Sequence, residues 1–594
     1  MKQEISQRIA ELRQQMQAAG VDAAIIPQTD PHQSEYIADH WQVRRWLSGF
    51  TGSAGTLVVT ADKALLWTDS RYFIQAAQQL DGTEVEMMKD GIAGTPSIED
   101  YLIQNLKPGM KVGVDGMLFS AQQAQAMRKA FEKHGLKFVT DFDVIDEIWP
   151  DRPTLPKDKV FVHAEEYAGE SAKSKLARIL ADAKRQDAEA AFISPLDEIA
   201  WALNIRCKDV KYNPVTTSYL YVAPEGSTLL VDEDKITPEV AEYLKSQGVD
   251  VYPYAKVKEF IAQLPDKKVL IEEARTSTTL TEALGDRAVM GASAVAVPKG
   301  VKNETQIAGI RAAMERDGAA LVRAFMAIED ALAKGEKITE LDVDRLLVKY
   351  RSEMKNFFDE SFGSIIGYGP HGAIVHYEPT VETDATLEPN GLLLVDSGAQ
   401  YLDGTTDITR TVALGTPTQQ EKHDFTLVMK GHIALGDAVF PVDTRGAQLD
   451  VLARQFLWKE GLAYLHGTGH GVGHFLNVHE GPQTIRLNNT PIPLMEGMIT
   501  SNEPGLYREN IHGVRCENLV LTVKAMTTEF GEFLKFETLT LFPFDRELFE
   551  TEIMSDDEIK WVNDYHAEVY RRVSPLLNDA ERAWLEAKTA PINK

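Results

Sequence analysis

Cysteine is nearly absent from this chain: Cys207 and Cys516 are the only two in 594 residues. A disulfide framework is thereby excluded in practice, and a reducing compartment fits. Long apolar runs are missing as well. The opening segment, MKQEISQRIAELRQQMQAAG, carries charge throughout and has no stretch long enough for a signal peptide or a membrane span. A cytoplasmic location without membrane attachment is therefore expected. Basic residues are the minority, with 62 Lys and Arg against 89 Asp and Glu, a formal net charge of −27. That balance excludes nucleic acid or an anionic membrane as the main partner; acidity here serves solubility. Low-complexity segments are lacking too.

What is present is ordinary globular sequence, too long for one core, so three or four domains are expected. Ile5, Ile9, Leu12 and Met16 recur at helical spacing and predict an amphipathic first helix. Ala23–Ile26 reads as a buried strand, and residues 55–60 and 64–67 as two more strands joined at Ala61-Asp62-Lys63. The proline- and charge-rich stretch PDRPTLPKDK reads as a linker, because proline blocks helix continuation and removes donors. A similar order then restarts. A helix over 171–183 precedes a strand over 190–194, a helix from Leu196 follows, and strands cover 219–223 and 228–231. This predicts two related α/β domains, 1–152 and 153–300. The third region, 301–594, opens with a long helix striped by Ile307, Ile310, Met314, Leu321, Phe325, Ile328 and Leu332 and stopped by Gly335. Thr339 is placed to cap a second helix. Strand and turn signals dominate from Phe362 to Phe544, and the tail from Asp556 is helical. The fold class expected is α/β (α+β).

Chemistry concentrates in that third region. Residues 391–396 form an apolar strand ending in Asp396, and Asp407 stands just before the strand 408–412. Strands separated by a loop at 400–405 would bring both carboxylates to one end of a hairpin-like unit. Alone, the pair reads more readily as two ordinary turn aspartates. HGTGHGVGH, residues 466–474, is more informative, with three histidines alternating with four glycines. Glycine lets backbone approach a ligand or metal closely and permits unusual dihedrals. Three histidines could indicate an all-histidine zinc site. The abundance of carboxylates elsewhere favours one histidine ligand together with substrate-binding histidines, and His470 is the candidate ligand. Glu503 ends a strand before a Pro-Gly turn, and Glu517 sits in an apolar β segment. A carboxylate buried there needs a metal or a cation, Arg515 being the candidate partner. Cys516, beside Glu517, is expected to face the other way as a buried structural thiol. Four carboxylates and one imidazole suit paired divalent ions that activate water.

In these residues the chain resembles the pita-bread metallopeptidases, and within them the three-domain, cytosolic-type Xaa-Pro aminopeptidases. DPHQSEY, GFTGSAGT and WTDSRYF near the N-terminus carry the resemblance together with HGTGHGVGHFLNVHEGP. It implies two creatinase-N-like domains followed by a pita-bread catalytic domain with a C-terminal helical extension. It implies that Asp396, Asp407, His470, Glu503 and Glu517 hold two divalent ions, most often Mn²⁺ with Co²⁺ or Zn²⁺ as alternatives. Asp407 and Glu517 would bridge them, and a bridging hydroxide would attack the bond before a penultimate proline. Glu503 would relay the proton, and His376, His466 and His479 would bind substrate and assist catalysis. Arg71 would line a subsite or an interface, or pair with Asp69. The implied partners are short peptides with proline at the second position and a second copy of the chain in a homodimer. The alternative within the family is a prolidase, which cleaves Xaa-Pro dipeptides.

Overall fold

The computed structural model describes residues 2–594. Its first helix, Lys2–Ala19, buries the stripe read from the sequence: Ile5, Ile9, Leu12 and Met16. The chain then enters Ala23–Pro27, which lies inside a six-stranded sheet. The strand order is Val85–Lys89, Ala64–Thr68, Thr56–Thr60, Ala23–Pro27, Lys111–Gly113, Lys137–Val139. A second six-stranded sheet has the order Val249–Pro253, Gly226–Val231, Ser218–Ala223, Ala190–Ile193, Val269–Ile271, Ala288–Met290. The pairings agree step for step: parallel, antiparallel, antiparallel, parallel, parallel in each sheet. The repeat suggested by the order of sequence signals is thus a repeat of sheet topology. The residues 152–160 between them form neither helix nor strand.

By contacts the chain divides into two compact units. Among the described residues, one comprises 2–163 and 170–295, and the other 164–169 and 296–594. The second unit begins with the helix Glu304–Lys334, closed by Gly335 at φ 67°. Thr339 caps Glu340–Ser352, its hydroxyl accepting from the Asp342 N–H. A three-stranded sheet sets Leu392–Ser397 between Ile365–Tyr368 and Ile408–Ala413, both antiparallel to it. A six-stranded sheet carries Val439–Pro441, Gly531–Thr538, Asn518–Thr528, Ile499–Asn502, Gly469–Gly471 and Glu480–Ile485, in that order. Gly505–Arg508 and His512–Arg515 form a separate hairpin.

Two expectations are corrected here. The stretch 362–544 contains the helices Gln419–Gly436 and Gly446–Lys459. The first is buried nearly all round, including Phe425, Leu427, Val428, Met429 and Ile433, so it shows no apolar stripe. Its start signal was nonetheless present, since Thr418 and Glu421 form a reciprocal capping box. The supposed loop at 400–405 is itself a tight hairpin, with Gln400 opposite Thr405 and Tyr401 opposite Gly404. Among the described residues no helix is long and apolar enough to cross a membrane. The C-terminal helices Asp556–Val573 and Asp579–Lys588 pack Val562, Val569, Val573 and Leu585 into the core of the second unit.

Candidate metal centre

Five separated segments of the second unit converge. Asp396 lies in Leu392–Ser397, opposite Ile365 on one side and Thr409 on the other. Asp407 stands just ahead of Ile408–Ala413, and His470 is the middle residue of Gly469–Gly471. Glu503 follows Ile499–Asn502, its N–H donating to the Thr468 carbonyl at 2.8 Å. Glu517 lies in the break between His512–Arg515 and Asn518–Thr528, not within one continuous strand as its apolar neighbours suggested. Its N–H donates to the Thr409 carbonyl at 3.1 Å. One ligand atom each of Asp407, His470 and Glu517 lies within 4.8 Å of the others. His470 Nε2 is 3.4 Å from Asp407 Oδ2 and 3.4 Å from Glu503 Oε1.

The surrounding groups fix these side chains. His470 Nδ1 bonds the Gly471 carbonyl at 2.9 Å, and a carbonyl only accepts, so the proton is on Nδ1 and Nε2 faces the carboxylates. Ser501 Oγ accepts from the His470 N–H at 2.9 Å and donates to Glu503 Oε1 at 3.1 Å. Thr409 Oγ1 donates to Glu517 Oε2 at 2.7 Å. Arg515 forks onto Asp396 Oδ2 through Nη2 at 2.7 Å and Nε at 3.2 Å. The cation considered for Glu517 therefore serves Asp396. The second Asp396 oxygen, Oδ1, is buried without a hydrogen-bond partner.

Proton affinities report the crowding. Burial, reinforced by Asp407 and Glu503 and opposed by Arg515, raises Asp396 to about 7. Burial raises Glu517 well above its ordinary range, with Asp407, Asp396 and Glu503 adding to it. Glu503 is raised by burial and by Asp407 despite His470. Burial alone would lower His470, but the bond to Asp407 and the charge of Glu503 outweigh it and lift the imidazole to about 9. Four carboxylates with so few cations repel one another. The unpartnered Asp396 oxygen and the inward Nε2 are what a divalent cation would satisfy, so the donor set fits metal.

Sequence similarity points to the same chemistry. Residues 308–524 match metallopeptidase family M24, and 532–592 match the C-terminal region of that family. Residues 8–148 and 151–306 each match the creatinase/prolidase N-terminal domain. A Neosartorya fischeri protein described as "Probable Xaa-Pro aminopeptidase P" is 42% identical over 99% of this chain and 93% of its own length. Aminopeptidase P2 of Arabidopsis thaliana is 41% identical over 97% of this chain and 86% of its own. The chain belongs to metallopeptidase family M24. Among solved structures, the X-prolyl aminopeptidase of Caenorhabditis elegans, described as a cytosolic enzyme with a di-nuclear active site, superposes with a TM-score of 0.96. It is 34% identical and covers 99% of this chain and 100% of its own.

The remaining residues singled out in this M24 sequence are placed as follows. The His479 ring meets His470 edge to face, centroids 4.4 Å apart. His466 Nε2 is 2.8 Å from the Tyr507 hydroxyl, which accepts from Arg515 Nη1 at 2.8 Å. His466 is thus linked to Asp396 through two side chains. His376 lies in the turn that follows the short helix Gly369–Ala373. His474 is buried against Gly309 of the long helix. Arg71 belongs to the first unit and forks onto Asp69, Nε to Oδ1 at 2.9 Å and Nη2 to Oδ2 at 2.7 Å, the ion pair left open by the sequence. Cys516 is buried, which pushes its thiol up to about 12, so it is inert. Thr409, Ser501 and Tyr507 were missed. Thr409 was readable in principle, since it stands two residues after Asp407, where an extended chain repeats its face.

Proposed function

We propose that this M24 metallopeptidase is a dinuclear-metal aminopeptidase that releases the N-terminal residue from peptides with proline at the second position. The observation that carries it is the convergence of Asp396, Asp407, His470, Glu503 and Glu517, with a buried oxygen of Asp396 left for a cation. The C. elegans X-prolyl aminopeptidase supports the substrate class. Those five side chains would hold two Mn²⁺ ions, with Co²⁺ or Zn²⁺ as substitutes. Bound there, the ions supply Lewis acidity and lower the pKa of water from 15.7 toward about 7.

The chain's own groups do the rest. A bond to proline has no amide hydrogen, and its nitrogen must be protonated as it leaves. Glu503 takes up a proton and returns it to that nitrogen. Ser501 Oγ holds Glu503 Oε1 in orientation meanwhile. His479, packed on His470, and His376 hydrogen-bond the developing tetrahedral centre, and His466 with Tyr507 shapes the proline pocket. Domain joins near residues 152 and 300, a cytoplasmic location and a homodimer belong to the same proposal. The family matches meeting at 148/151 and 306/308 support the joins, and the cytosolic C. elegans enzyme supports the location.

Stripped protein reconstituted with Mn²⁺ should release arginine from Arg-Pro-Pro in proportion to bound metal and leave Gly-Pro intact. Glu517→Ala should lose bound metal and at least about 100-fold in rate. Full activity with unchanged metal in that variant would refute the ligand assignment, whereas faster cleavage of Gly-Pro would mark a prolidase.

A further inference from the structure

His376 lies in a short turn whose two ends bond to the same carboxylate. Glu340 opens the helix Glu340–Ser352 and is 0% exposed. Its Oε1 accepts from the Tyr368 N–H and from His371 Nδ1, both at 2.8 Å. Its Oε2 accepts from the Tyr377 hydroxyl at 2.9 Å and the Ala385 N–H at 3.0 Å. These four donors match the roughly four lone-pair sites of a carboxylate. The rings of His371 and Tyr377 lie 4.3 Å apart, so the turn between them, carrying His376, is closed at its base. Glu340 is not needed to cap its own helix, because Asp342 completes the capping box with Thr339.

The segment leading into the turn is registered to strands that neighbour the candidate ligands. Gly372 lies backbone to backbone on His512–Arg515: a Cβ on Gly513 would stand 1.7 Å from the Gly372 carbonyl oxygen. That strand runs directly into Glu517. The strand entering the turn, Ile365–Tyr368, sets Ile365 opposite Asp396. The short helix leading into the turn is therefore docked by glycine contact on the strand that leads to Glu517, and the turn is tied from behind by Glu340.

We propose that Glu340, acting through Tyr377 and His371, is a positioning residue that fixes the His376 imidazole for hydrolysis of the Xaa-Pro bond. This rests on the reading of His376 as a substrate-binding group. An imidazole that must meet charge developing in the transition state has little tolerance, because a displacement of about 1 Å costs on the order of 100-fold.

The test uses full-length, metal-loaded protein and an Arg-Pro-Pro substrate. Tyr377→Phe removes the hydroxyl that meets Glu340 and Thr383 and leaves the backbone donors on Glu340 in place; Glu340→Gln turns one accepting oxygen into an NH2, so the two donors on that side lose their acceptor. Each is expected to lower kcat by about 10- to 100-fold with bound metal unchanged and KM moved less than about 3-fold. In a His376→Ala background, Tyr377→Phe should then cost less than about 2-fold, because the group it positions is gone. Equal losses in both backgrounds, wild-type kinetics in Tyr377→Phe, or a loss matched by lost metal would each overturn the inference. A slow His376→Ala beside a normal Tyr377→Phe would leave the functional reading standing and sink only the role of Glu340. A silent His376→Ala would sink both.

Discussion

At Asp396 one oxygen is held by Arg515 and the other has no partner, and that asymmetry sets what the metal-free protein does with protons. Asp396 is held near 7 and His470 near 9, while Glu503 and Glu517 are raised as well. A divalent ion binds the deprotonated carboxylate and the neutral imidazole. At pH 7 His470 and part of Asp396 carry protons that the ion must displace. Adding Mn²⁺ to stripped protein should therefore release protons, and affinity should rise with pH up to about 9. Calorimetric titration in buffers of different ionisation enthalpy measures the release; a metal affinity flat from pH 6 to 9 would contradict the assigned ligands. That these carboxylates and the imidazole belong to one cluster was legible in the sequence through the motifs shared with the pita-bread metallopeptidases; Asp396 and Asp407 by themselves read as turn aspartates. Partnership was not legible. Arg515 and Glu517 are two residues apart and suggested a pair, yet the break at Cys516–Glu517 sends Arg515 to Asp396 and leaves Glu517 to Thr409. Pairing across strands depends on register, which the sequence around a single residue does not carry.

For elements, the glycines of HGTGHGVGH correct one part of their reading, the unusual dihedrals. They suggested close approach to a ligand and unusual dihedrals. None of Gly467, Gly469, Gly471 and Gly473 has a positive φ. The close approach is between strands: a Cβ on Gly469 would lie 2.0 Å from the Ser501 carbonyl oxygen. The strands pressed together there bear His470 and lead to Glu503, with Ser501 bonded to both. Gly469→Ala should push them apart, lower stability by about 1–3 kcal/mol and reduce bound metal. Gly467→Ala, whose Cβ would meet only Arg486 Cβ at 3.5 Å and the Ile485 oxygen at 3.8 Å, should do neither. Urea unfolding and metal analysis of the two variants decide it, and equal behaviour would show that interstrand contact is not what the motif conserves space for. Helices with one wet face, such as Lys2–Ala19, were readable from their stripe. Gln419–Gly436 was not, because burial on most sides erases the period on which such reading depends.

Across the whole molecule, the doubled sheet topology of the first unit followed from the order of sequence signals, whereas the integration of the C-terminal helices with the metal centre did not. Arg410 is the connection. It donates to the Glu517 carbonyl, to Asn518 Oδ1, to the Phe542 carbonyl and to the Tyr565 hydroxyl on Asp556–Val573. Two buried histidines lie in its field. His432 bonds the Cys516 carbonyl through Nδ1 at 3.2 Å, and His566 Nε2 accepts from the Phe544 N–H at 3.1 Å. Burial first, and Arg410 second, hold both at about 3. Depressed folded values mean that the fold takes up these protons less readily than the unfolded chain. Their contribution to stability is full above about 6.5 and drains away as pH falls from there toward 3, by up to about 1.4 kcal/mol per pH unit for each histidine. Other groups titrate in the same range, so the informative quantity is the difference between wild type and His566→Gln, whose amide oxygen can still accept from Phe544. That substitution should cost stability at pH 7.5 and progressively less toward pH 4.5, where the variant becomes the more resistant of the two to urea. A stability difference that stays constant between those pH values would mean that His566 is charged or solvated in the fold, and that the C-terminal helices do not seal the core beneath Glu517.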